Sequence, residues 1–98
     1  MSNFFDADEL GLAELKLNGK THSFRPATIA DEREYLPTIQ KRFDKAKGQG
    51  ERDSIRIEVI RKYIPELSED ELRTVSPYVL VNIYYFAIHG IKLPKEKN

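Results

Sequence analysis

The chain has 98 residues, enough for a single domain with one modest hydrophobic core. Sixteen Lys and Arg residues balance sixteen Asp and Glu residues, so the chain lacks the overall positive charge that non-specific binding to nucleic acid or anionic membranes requires. It has no cysteine, no secretory signal and no apolar stretch of the roughly 20 residues that span a membrane. We therefore expect a cytoplasmic protein whose partners are proteins, not nucleic acid or membrane.

The first predicted element is a β-hairpin. Residues 1–12 are acidic and aromatic with little periodicity, and we expect them to form a flexible arm. Asn18-Gly19 then lies between two alternating segments and is typical of a type I′ turn, which needs positive φ at both central residues. It predicts strands over residues 13–17 and 20–24, with His22 half-exposed opposite Leu15. One face of the hairpin is apolar and holds Ala13, Leu15, Leu17 and Phe24.

An amphipathic helix of roughly 18 residues follows the hairpin. Thr28 is the predicted N-cap, with Asp31 three residues later. Pro37 interrupts the helical pattern, so we expect either a kink there or a break into two helices at Leu36. The predicted apolar face consists of Ile29, Leu36, Ile39, Phe43 and Ala46.

Two glycines, Gly48 and Gly50, separate this helix from the next segment. Over residues 51–64 the apolar positions cover about 200° of a helical wheel, which favours a helix, although the alternation over residues 55–59 leaves a strand open. Pro65 ends the segment, and Ser68 with Glu71 has the form of a capping box for a short helix reaching about Val75.

The last predicted helix runs from Pro77 to His89, with Gly90 as the residue that ends it. One narrow stripe of this helix is polar and aromatic, and the remaining arc of about 220° is apolar. Such a helix needs cover on two sides, from the domain itself or from another chain. Residues 92–98 are expected to form a solvated tail.

Two groups of residues are candidate interaction sites. Tyrosine and arginine are enriched at binding hot spots, so we predict a partner-binding site at Tyr78, Asn82, Tyr85 and His89, joined by Arg56. Arg52 and Arg56 lie inside the apolar arc of their helix, where each either extends its charged end to solvent, pairs with a carboxylate from another element, or reaches a partner. If the apolar arc of the last helix is not covered within the chain, homo-oligomers are expected through Val81, Tyr84 and Ile88.

Catalytic and metal-binding patterns are not found in the sequence. His22 and His89 lie on different predicted elements without an HExxH motif, and no serine has the context of a nucleophile. The glycines at 48 and 50 lack the spacing of a phosphate-binding loop. We therefore predict a protein that is not an enzyme, with no catalytic residues, cofactor or metal.

These elements predict one α+β domain over residues 13–91, mostly helical, with an N-terminal β-hairpin packed on three or four α-helices. The turn Asn18-Gly19-Lys20, the dipeptide Arg25-Pro26 and the Thr28-x-x-Asp31 helix start occur in an order that resembles the tail assembly chaperones of long-tailed bacteriophages. The segments 64–72 and 75–80 are similar to the second half of such chains. The resemblance covers about residues 13–90.

The resemblance implies a non-enzymatic protein, encoded by a phage or prophage and acting in the host cytoplasm. Such a protein binds the long helical tape measure protein, keeps it soluble and helps to recruit tail-tube subunits. The family has no residue motif that transfers to individual positions here. The alternative is a small helical adaptor or regulator, resembling an antitoxin or a transcription partner, that also acts by binding protein. A basic recognition helix would favour the regulator, but the sequence has no helix with base-reading residues clustered on one face.

Overall fold

The computed structural model describes residues 5–91, and the hairpin is its first extended element. Strand β1 (Ala13–Leu17) pairs antiparallel with β2 (Lys20–Phe24), in the register that the turn predicts. Asn18 has φ of 53° and Gly19 has φ of 81°, so both central residues of the turn are left-handed as a type I′ turn requires. The hairpin prediction is therefore confirmed.

A one-turn helix, α1 (Ala7–Leu10), precedes the hairpin within the segment expected to be a flexible arm. The Asp6 carboxylate caps it by accepting hydrogen bonds from the backbone N–H groups of Asp8 and Glu9. The Arg25 guanidinium, at the end of the hairpin, donates to the Asp8 carbonyl at 3.1 Å and connects the two elements. The rest of the predicted arm, residues 1–4, and the predicted tail, residues 92–98, lie outside the described residues.

The second helix begins as predicted, with reciprocal hydrogen bonds between Thr28 and Asp31. A π-helical turn, Asp31–Tyr35, then leads into α2 (Leu36–Lys45) without a break in the helical backbone. In this turn the Leu36 N–H donates to the Asp31 carbonyl five residues back, so one extra residue is inserted just before Pro37. The insertion rotates the first residues of the helix out of phase with α2, which is why Ile29 is 71% exposed. The prediction that Ile29 shares the apolar face of α2 was therefore wrong.

The remaining chain is helical. The sequence left both helix and strand open over residues 51–60, and the structure shows a continuous helix, α3 (Gln49–Tyr63). Ser68 and Glu71 form the complete predicted capping box at the start of α4 (Glu69–Arg73). Ser76 caps α5 (Pro77–His89), and Gly90 ends it in the left-handed conformation with φ of 70°.

Two adjoining clusters of buried side chains form the core. The larger cluster lies between the hairpin and helices α3, α4 and α5, where the Phe24 and Phe86 rings meet edge to face at 5.4 Å. The smaller cluster lies between α2, α3 and α5 and is centred on Ile39. Tyr63 and Tyr84 pack against both. The described chain is 62% helical with one two-stranded hairpin, which confirms the predicted α+β class.

His22 is a correction to the sequence analysis, because it is buried and only 6% of it is exposed. In the β-ladder it pairs with Leu15, so its side chain lies on the apolar face of the hairpin. Its Nδ1 lies 3.0 Å from Oε1 of Glu66, in the loop after α3, and its Nε2 has no hydrogen-bond partner among the described residues. The register already implied this burial, since residues that face each other across a ladder lie on the same side of the sheet.

Candidate functional site

The predicted partner-binding residues of α5 lie along one side of the helix. We call them the aromatic stripe: Tyr78, Asn82, Tyr85 and His89. Its members are spaced at intervals of three or four residues, so they stack on successive turns over about 16 Å of helix. Tyr78 is the most open of them, with 78% of it exposed, and its carbonyl accepts a hydrogen bond from the Asn82 amide at 2.8 Å. The Tyr85 and His89 rings lie 4.3 Å apart. The structure thus brings the four predicted α5 residues together on one face.

Arg56 lies on the neighbouring helix α3 and is half-buried. Its Nη1 donates to the Asp53 carboxylate at 3.1 Å, and its guanidinium lies 5.3 Å from the centre of the Phe43 ring. The carboxylate that pairs with Arg56 therefore comes from its own helix, not from another element as expected. Its charged group is fixed by these two contacts, and the side chain borders an open groove.

This groove, the aromatic groove, has a volume of about 300 Å³ and lies between α2, α3 and α5. Its floor contains the Phe43 and Tyr84 rings, which meet edge to face at 5.9 Å. Tyr85 belongs to both the groove and the aromatic stripe, so the two features form one continuous surface. The lining residues are Gln40, Phe43, Arg52, Arg56, Val81, Tyr84 and Tyr85.

The residues predicted to form an oligomer interface, Val81, Tyr84 and Ile88, are less exposed than that prediction required. Ile88 is 6% exposed and belongs to the smaller core cluster, so it is not available on the surface. Tyr84 is half-buried between the two core clusters, and Val81 is half-buried at the edge of the aromatic groove. Because Ile88 is buried among side chains of α2 and α3 and Tyr84 packs on Phe43, these three residues do not form the open apolar patch on which the expectation of oligomers depended.

The electrostatics of the aromatic groove combine an apolar floor with basic side chains. Burial raises the pKa of the Tyr84 phenol, an effect that the nearby positive charge of Arg56 opposes. The Tyr84 hydroxyl is therefore neutral at neutral pH. Arg52 is exposed, and no carboxylate of residues 5–91 lies within ion-pair distance of it. Such a surface can bind apolar side chains and accept a negative charge.

Catalytic chemistry requires an arrangement that this groove does not provide. Its lining has no serine, histidine or carboxylate that could act as a nucleophile or a general base. Across the described part of the chain, no group of three or more His, Asp or Glu side chains is placed to bind a metal ion. Among residues 5–91, no helix combines the length and the hydrophobicity needed to cross a membrane.

Three groove residues belong to neither the predicted partner-binding site nor the predicted oligomer interface. Arg52 was noticed inside the apolar arc of its helix, and this signal was sufficient to include it beside Arg56. Phe43 was predicted on the apolar face of its helix, and it is half-buried, with its ring shared between the core and the groove. Gln40 carries no sequence signal, because only the packing of α2 against α5 brings it to the groove.

Comparison of the chain with protein-family models, curated proteins and solved structures gave no match.

Proposed function

We propose that this chain is a non-enzymatic tail assembly chaperone of a long-tailed phage, which binds the tape measure protein and aids its assembly with tail-tube subunits. The observation that supports protein binding is the continuous surface formed by the aromatic stripe and the aromatic groove. It presents Tyr78, Tyr85 and two arginines, the residue types that dominate protein-binding energy. The choice of client rests on the order of the hairpin, Arg-Pro and helix-cap motifs.

The shape of this surface favours a helical client. An amphipathic helix presents side chains at intervals of three and four residues, and a groove between helices accepts such a row. The tape measure protein is long and helical, so during assembly it exposes apolar stripes that aggregate unless they are covered. Covering one stripe at a time with a small helical domain keeps the client soluble.

Co-expression with the tape measure protein of the phage tests the proposal. The soluble fraction of the client is measured alone, with the wild-type chain, and with the Tyr78→Ala or Tyr85→Ala variants. We expect the wild-type chain to raise the soluble fraction and to co-purify with the client, and both variants to do so less. Tyr78 is the safer position, because its exposure means that the substitution removes few contacts of the fold.

Ile29→Ala is the matched control, since Ile29 is also large, apolar and exposed but lies outside the aromatic stripe and groove. It should behave as the wild type does. A client that is equally soluble with and without the chain contradicts the chaperone function. Binding without any gain in solubility points instead to the adaptor function that the sequence left open.

A further inference from the structure

The aromatic groove differs in charge from two larger grooves on the described surface. A groove of about 540 Å³ beside α3 and α4 contains Glu58 and Glu69 together with basic residues. A groove of about 450 Å³ between α2 and α3 contains Glu51 with Arg42 and Lys45. The aromatic groove is lined by two arginines and no carboxylate. A lining without any carboxylate distinguishes this groove from the other two, and the carboxylate of Asp53 reaches Arg56 from outside the lining.

The two arginines have different environments. Arg56 is held in place by Asp53 and by the Phe43 ring, so its charge is partly compensated. Arg52 lies one turn earlier on the same face of α3, is exposed, and forms no ion pair among the described residues. Its planar guanidinium suits two parallel hydrogen bonds to a carboxylate. The groove therefore has an uncompensated cation at the edge of an aromatic floor.

An occupant that matches this surface needs two properties on one element. Apolar side chains are needed to cover the Phe43 and Tyr84 rings, and a carboxylate is needed at the border next to Arg52. An α-helix carries both when apolar residues repeat at i, i+3, i+4 and i+7 and a Glu or Asp flanks them. A basic helix has the same apolar face but places positive charge beside Arg52.

We propose that the aromatic groove binds an acidic amphipathic helix, with Arg52 receiving its flanking carboxylate and the aromatic floor receiving its apolar face. Within the proposed function, which this inference extends, the helix is a segment of the tape measure protein. The charge of the groove thus selects which of many apolar stripes on a long helical client the chain binds.

Fluorescent peptides provide the test. Two designed helical peptides of about 18 residues, roughly five turns, have the same leucine face. In one of them Glu residues flank this face, and in the other Lys residues do. A third set tiles the tape measure protein in segments of similar length. Fluorescence anisotropy gives the dissociation constant of each peptide for the full chain. We expect the Glu peptide to bind about tenfold more tightly than the Lys peptide, and the preference to shrink as salt is raised.

Charge reversal identifies the residue responsible. Arg52→Glu should weaken binding of the Glu peptide about tenfold and reverse the preference between the two peptides. Arg33→Glu is the matched control, because Arg33 is exposed, forms no ion pair within residues 5–91 and does not line the aromatic groove. It should leave both affinities unchanged. Circular dichroism verifies that both variants are folded.

The outcomes separate this inference from the proposed function. If tape measure segments bind the wild type and Arg52→Glu equally well, the groove inference is wrong and the chaperone function stands. If the Glu peptide binds through Arg52 and no tape measure segment binds, the inference stands and the client is a different protein. Failure of the Glu peptide to bind the wild type more tightly than the Lys peptide overturns the inference.

Discussion

Comparing alanine substitutions at two glycines of positive φ separates the cost of backbone strain from the cost of a steric clash. Gly19 and Gly90 have φ of 81° and 70°, so an alanine at either position meets the same conformational penalty of about 1–2 kcal/mol. Around Gly19 a Cβ atom would have open space, whereas at Gly90 it would lie 2.6 Å from Cγ of Pro26. Overpacking of this kind costs a further 1–3 kcal/mol or so. We therefore expect Gly90→Ala to lose about 2–5 kcal/mol and Gly19→Ala about 1–2 kcal/mol.

Urea unfolding followed by circular dichroism measures both losses, since the chain has no tryptophan to report on its fold. With a slope near 1 kcal/mol per molar urea, each kcal/mol lowers the midpoint by about 1 M. Adding Pro26→Ala to Gly90→Ala should recover part of the extra loss, because it removes the atom in conflict. Equal destabilisation by the two glycine variants would refute the inferred contact between the end of the hairpin and the end of α5.

Three further predictions concern the helices. Phe43→Ala should lower the free energy of unfolding by about 2–3 kcal/mol, because the ring is half-buried and a fully buried phenylalanine costs about 3–5 kcal/mol. A loss of less than about 0.5 kcal/mol, as for a surface substitution, would show that the ring does not pack in the core. The Thr28 backbone N–H holds the pKa of the Asp31 carboxyl below its usual range, so Asp31 stabilises the fold above about pH 4, and this is lost as the pH falls through its folded pKa. Asp31→Asn should therefore lose less stability than the wild type between about pH 5 and pH 2.5, and identical acid profiles would contradict it. Burial, and donation of its hydroxyl to Asp31, raise the pKa of Tyr63, so its contribution is complete below about pH 10 and is lost above it. Tyr63→Phe should show a shallower loss of stability on the alkaline side, measured by thermal melts.

The sequence specified the fold where local chemistry determines structure. Asn18-Gly19 fixed the hairpin and its register, because a two-residue type I′ turn allows only one pairing. The serine caps fixed the starts of α4 and α5 for a similar reason, since each provides an acceptor for the exposed N–H groups of the first turn. These signals operate over three or four residues and depend little on the rest of the chain.

The prediction failed where structure depends on contacts between distant residues. The extra residue of the π-helical turn has no local signature beyond the nearby Pro37, so the phase of Ile29 was assigned on the wrong helix period. The burial of Ile88 depends on side chains of α2 and α3 that pack on α5, and a helical wheel contains no such information. The aromatic stripe was found because it lies within one helix, whereas the groove beside it was not, since it is formed by three.

The closure of the hairpin on α5 also sets the order in which a growing chain can fold. The Ala27 N–H donates to the Ile88 carbonyl at 3.0 Å, and Phe24 reaches its partner ring on Phe86. The hairpin turn can form as soon as it leaves the ribosome, but the cover of its apolar face is complete only when α5 is present, more than 60 residues later. During synthesis the hairpin is therefore only partly covered, and a two-stranded ribbon of this kind gains its full stability when α5 packs against it.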